Sequence, residues 1–103
     1  MQDDEINFDI EDVVFLTRDV FNWTCLATQQ KKSNVQLVRW NPEIPASITN
    51  MVLLNPKDAK AHMEFKTYDE VKSAYPTEVF TRYDEKQAVI AKHLKNRDPV
   101  LFG

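Results

Sequence analysis

The side chains best suited to nucleophilic or metal chemistry in this chain are Cys25, His62 and His93, and each stands alone. Zinc sites draw on Cys and His at close spacing. Neither histidine has a second ligand at a helical or strand interval, so no metal site is expected. A cysteine nucleophile needs an activating base, but Cys25 lies between Thr24 and Leu26 in a stretch that reads as a half-buried strand. There a free thiol behaves as a small hydrophobe. His93 falls on the core-adjacent face of the last helical pattern, while His62 falls opposite Ala61 and Met63 and is expected to be exposed. The carboxylate pairs Glu11 with Asp12, Asp69 with Glu70 and Asp84 with Glu85 each sit at an expected helix start, where capping explains them. The only glycine is Gly103, which excludes the glycine-rich loops that cradle phosphates in P-loop and Rossmann-type sites. No catalytic residue and no cofactor is expected. An enzyme with an unfamiliar site would need a concave pocket with perturbed titrating groups around His62 or His93.

A second constellation is the head, MQDDEINFDIED, in which all six charged residues are acids. A calcium loop requires a glycine at its sharp turn and a bidentate Glu at its end, and neither is in register. The alternation of Ile6, Phe8 and Ile10 supplies apolar anchors between the charges, so the head can dock into a partner or add to a sheet edge, its own or another chain's. It also serves as a solubilising flank, with Asp9 placed to cap a following helix. Asp3, Asp4, Glu5, Ile6 and Phe8 are therefore candidate partner-binding residues, with Trp40, Tyr68 and Tyr83 as aromatic anchors at element boundaries.

Cations also lie beside aromatics, as in Arg39 with Trp40, Lys66 near Phe65 and Tyr68, and Arg82 with Tyr83. With Lys31 and Lys32 at a hairpin tip, Lys31, Lys32, Arg39, Lys66 and Arg82 form the alternative reading, a nucleic-acid face that stacks bases and neutralises phosphates. The net charge is −3; without the six acids of the head, thirteen bases face ten acids, leaving a body of about +3. That excess is too small to imply nucleic-acid affinity without clustering.

The elements that must position these residues follow from periodicity. Val13, Leu16, Val20 and Trp23 have helical spacing after Asp9, although the VVFL run also suits a strand. NWTCLATQQ and NVQLVRW read as two strands of a hairpin, with Trp23, Cys25 and Ala27 alternating in one and Val35, Leu37 and Arg39 in the other. Ile48 to Leu54 reads as a third strand, and AHMEFKT as a fourth with Ala61, Met63 and Phe65 on one face. Thr67 to Glu70 has capping-box spacing for a short helix ended by Pro76. EVFTRY reads as an edge strand or surface crossing, and Asp84 is expected to cap a last helix carrying Ile90 and Leu94. In a chain without internal glycine, turns are expected to use Pro, Asn, Asp or Ser.

At 103 residues and 43% hydrophobic content the chain suits one domain, residues 1–103, with 1–10 an acidic flank or edge strand. The expected class is α+β: an antiparallel sheet of about four strands packed against two or three helices. No apolar run is long enough to span a membrane, nothing resembles an export signal, and a single cysteine suits a reducing, cytoplasmic setting. The expected function is a non-catalytic protein-interaction domain, with homo-oligomerisation through a sheet edge as a variant.

Overall fold

The computed structural model describes residues 10–31 and 34–97. The chain enters through α1, Ile10–Val14, whose first turn carries Glu11 and Asp12 against the helix dipole. It continues without a break as a π-helical segment, Phe15–Val20, in which Leu16 and Val20 are buried. Phe21 N–H donates to Leu16 O at 2.9 Å, five residues back, so the turn holds one residue more than an α-turn. The helical expectation for this stretch is met up to Val20. Trp23, expected to continue the stripe, lies beyond its end.

The segment leaves through Asn22 and Trp23, both in the left-handed region with φ of 50° and 59°, and Gln29 follows at 61°. Asn tolerates this conformation, whereas a bulky residue such as Trp is strained in it. The turn chemistry expected from composition therefore holds at Asn22 but not at Trp23 or Gln29. Residues 24–30 are not the expected strand. Cys25 N–H donates to Gln30 O and Gln29 N–H to Cys25 O, closing a tight loop whose only ladder feature is a bridge between Thr24 and Lys31. Consecutive Cys25 and Leu26 are both buried, which an alternating strand does not allow.

Among the described residues the sheet has two strands, β1 (Gln36–Arg39) and β2 (Met51–Leu54), paired antiparallel with Val38 opposite Val52. Val38 and Trp40 are buried on one face; Leu37 and Arg39 look the other way and are half-buried and exposed. All four residues of β2 are buried. The loop between the strands is held by Asn50, whose Nδ2 donates to Asn41 O, Ile44 O and Pro45 O while its Oδ1 accepts from Asn41 N–H.

The fourth expected strand, residues 61–67, is not one: Ala61 to Met63 are the end of a helix, α2 (Pro56–Met63), and 64–67 form a turn and loop. Asn55 caps α2 by accepting from Asp58 N–H at 2.8 Å, and Pro56 supplies a ready-made φ at the first position. Ala59 and His62, three apart, form its buried face, and Met63 is 62% exposed. The capping box at Thr67 is present and starts α3, Tyr68–Ala74. After Tyr75 and Pro76, α4 runs for 21 residues, Thr77–Arg97. It absorbs EVFTRY, so Asp84 lies inside a helix instead of capping one. Val79, Ile90 and Leu94 are its buried positions, and Val89 is exposed. The described residues form a single-domain α+β fold, as the composition implied, with four α-helices, the π-helical segment and a two-stranded sheet in place of about four strands.

Candidate functional site

Two features hold the chemically interesting side chains: a buried aromatic centre around Trp40 and a pair of largely apolar hollows beside the sheet, one of which reaches His62. Trp40, 1% exposed, stacks on His62, Tyr75 and Tyr83 and meets Phe80 edge-on. Its Nε1–H donates to Tyr68 Oη at 3.3 Å. His62 is 2% exposed, with Nε2 at 2.9 Å from Trp40 O and Nδ1 at 2.8 Å from Tyr75 Oη. A carbonyl only accepts, so Nε2 carries the hydrogen and Nδ1 accepts from the tyrosine. Burial pushes the His62 pKa below its ordinary value, only partly countered by the backbone carbonyls of Trp40 and Arg39. Burial likewise lifts the phenols of Tyr75 and Tyr83 to about 12, with Asp58 and Tyr68 adding to the respective shifts. The ring is neutral, and its one lone pair is already engaged.

The expected exposure of His62 is thus corrected. The helix that replaces the fourth strand turns His62 inward beside Ala59 and leaves Met63 outside. Cys25 is fully buried, with its thiol 3.8 Å from Asp58 Oδ2, a weak contact on a half-buried carboxylate. His93 stacks on Phe15 at 3.8 Å, joining α4 to the π-helical segment. Among the described residues no group of three or more His, Cys, Asp or Glu is placed to hold a metal ion.

The two hollows are of about 470 Å³ each and share Leu37 as a lining residue. One lies under α1 and the π-helical segment, lined by Val13, Val14, Thr17 and Trp23 with Leu37 and Leu53 as its floor. The other is lined by Val38, Arg39, Met51, Met63 and Phe65 and reaches His62 of the aromatic centre. Trp23 stands at the first hollow with 42% of its surface exposed, and Val14 is equally open. The only charged side chains lining the hollows, among the described residues, are Arg18 in the first and Arg39 in the second. Arg18 is also paired with exposed Asp19 at 3.1 Å.

Of the partner-binding candidates, Asp3, Asp4, Glu5, Ile6 and Phe8 lie outside the described residues. Trp40 is not an exposed anchor, because strand alternation sends it with Val38 into the core. Tyr68 and Tyr83 are half-buried; Tyr83 Oη–H donates to Thr49 O, and Tyr68 N–H donates to Glu43 Oε2. Of the cationic candidates, Lys31, Arg39 and Lys66 are exposed and Lys32 is outside the described residues. Arg82 is half-buried, its Nη1 donating to Leu26 O at 2.8 Å and Ala27 O at 3.2 Å, so it fastens the tight loop to α4. Sequence reasoning missed Trp23 as a surface residue. The available signal was Asn22, the one residue near the end of that helical pattern suited to a left-handed exit.

No helix among the described residues is long and apolar enough to cross a membrane. No protein-family model matches the chain, and no curated protein matches it.

Proposed function

We propose that the chain is a small non-catalytic protein-interaction domain, a regulator, inhibitor or subunit of a larger assembly working in the cytoplasm. The observation that carries this reading is Trp23. A tryptophan in a strained left-handed conformation, 42% exposed beside an apolar hollow, is a costly arrangement for a residue with no task at the surface. Strain of this kind gathers at functional positions, and exposed tryptophan is the residue type most enriched among binding hot spots. The acidic head, with Asp3, Asp4, Glu5, Ile6 and Phe8, flanks α1 in sequence and belongs to the same proposal. The titratable groups at the aromatic centre are satisfied by one another, which favours a scaffold role for them over turnover.

The test compares capture of partners by the full chain and by Trp23→Asn, a substitution that keeps a residue tolerant of the left-handed region. The proposal expects one polypeptide to be retained by the parent chain and lost by the variant at unchanged melting temperature. A salt titration against single-stranded and duplex oligonucleotides runs beside it. Tight binding that falls steeply with salt, together with indifference to Trp23, would replace this reading with the nucleic-acid one.

A further inference from the structure

Residues 22–30 are strained at both ends and tied down in the middle. Trp23, at φ 59°, and Gln29, at 61°, hold left-handed conformations that side chains of their size disfavour, and Asn22 stands beside Trp23 at 50°. Between these ends the backbone closes on itself, with Cys25 N–H donating to Gln30 O at 2.9 Å and Gln29 N–H to Cys25 O at 2.8 Å. The polar ties to elements distant in sequence converge on residues 25–27. Leu26 N–H donates to Leu53 O of β2 at 2.8 Å, the Cys25 thiol lies 3.8 Å from Asp58 Oδ2 of α2, and Arg82 Nη1 of α4 donates to Leu26 O at 2.8 Å and Ala27 O at 3.2 Å. Two of the nine side chains, those of Cys25 and Leu26, are buried, while Thr28, Gln29 and Gln30 are exposed.

We propose that residues 22–30 form a strap that opens as a unit while the rest of the fold stays closed, hinged at Asn22 and Trp23 on one side and at Gln29 on the other, with Arg82 as its latch. Segments with few buried apolar contacts open at lower free energy than the whole fold. Hinges are a few residues at element ends that absorb changes in φ and ψ, and Asn22 and Trp23 stand just after the π-helical segment and its cap, Phe21. When the strap lifts, Trp23 and Gln29 return to ordinary backbone angles, so the stored strain offsets part of what the ties supply. Lifting uncovers Cys25, Leu26 and the Leu53 carbonyl. It also removes the wall that Trp23 gives to the first hollow, so opening reshapes the exposed surface around that residue.

Cys25, the single cysteine of the chain and fully buried, reports the opening. Its labelling by dithionitrobenzoate is followed on the full chain over urea concentrations below the unfolding transition. The expected rate is nearly independent of urea there, because the strap exposes little surface, and joins the steep slope of global unfolding only near the transition. Arg82→Met removes the latch and keeps the stem, and should speed labelling about tenfold or more. Val71→Ala leaves a cavity under α3 and should lower the urea midpoint, yet leave labelling at low urea unchanged, because its packing survives in the open form. Amide exchange on the parent chain should show the Cys25, Leu26 and Gln29 N–H groups opening together, and more readily than the Trp40 N–H bonded to Asn50 O. Labelling that follows the global slope from the lowest urea overturns the strap. So do acceleration by Val71→Ala in step with its lost stability, a parent-like rate in Arg82→Met, and unrelated exchange rates among the three amides. Should Arg82→Met fail to fold, the urea series and the amide exchange of the parent decide alone.

Discussion

Replacing His62 by leucine removes a ring that satisfies two groups at once, the buried carbonyl of Trp40 and the hydroxyl of half-buried Tyr75. Leaving a buried polar group without a partner costs about 1–3 kcal/mol, which applies in full to the Trp40 carbonyl and in part to the Tyr75 hydroxyl, so the total is about 2–4 kcal/mol. Against a stability of about 5–15 kcal/mol for an ordinary domain, that is a large fraction. Urea unfolding followed by far-UV circular dichroism, with a slope of about 1–3 kcal/mol per molar, should show the midpoint of His62→Leu lowered by about 1 M or more. His62→Gln should recover part of the loss, because its amide can donate to one group and accept from the other. The sharper test is the pair with Tyr75→Phe. Alone it strands the lone pair of Nδ1, but in the His62→Leu background it removes an orphaned hydroxyl and should cost nothing or stabilise. The pH dependence carries a definite sign. Because burial depresses the folded-state pKa of His62, the unfolded chain binds more protons once the pH falls below its ordinary 6.5. The contribution to stability is unchanged above that value and is lost progressively as the pH drops toward the depressed one. His62→Gln should flatten this slope. A His62→Leu protein within about 0.5 kcal/mol of the parent, or a Tyr75→Phe cost that is the same in both backgrounds, refutes the assigned network.

Gln29→Gly relieves a left-handed residue on an exposed turn and should raise stability by about 0.5–1 kcal/mol, read as a higher melting temperature. Asn50→Asp replaces a donor facing three carbonyls by a charged acceptor, and calorimetry should show a loss of about 3 kcal/mol or more that lessens as the pH is lowered to protonate it. Thr67→Ala removes the oxygen that accepts from Glu70 N–H and should cost about 1 kcal/mol, with faster amide exchange confined to α3.

Legibility in the sequence tracked how local the deciding interaction was. The α3 start was readable because Thr67 and Glu70 complete each other within one turn. The strands Gln36–Arg39 and Met51–Leu54 of an antiparallel sheet were readable in the sequence, whereas residues 22–30 read as a strand of a hairpin with its tip at Lys31 and Lys32, and 24–30 instead close on themselves as a tight loop. The fourth strand failed for a physical reason: Ala61, Met63 and Phe65 alternate, yet Asn55 and Pro56 had already committed the chain to a helix, and capping outweighed the pattern. The acidic head stood out in the sequence by charge alone, whereas the surface position of Trp23 did not. Its exposure depends on a left-handed exit forced by the π-helical turn, and nothing in its neighbours' polarity announces that exit.

The Phe15–Val20 segment also bears on how the chain can change length. Its i to i−5 bonding accommodates one surplus residue, and loss of any one residue there would let the stretch close as an ordinary α-helix. Each residue of an α-helix advances the azimuth by about 100°. A single-codon deletion at Thr17 would therefore swing Ile10–Val14 around the axis, carrying Val13 and Val14 away from the hollow they line with Leu37. One in-frame event could thus redirect this surface toward a different clientele without rebuilding the interior.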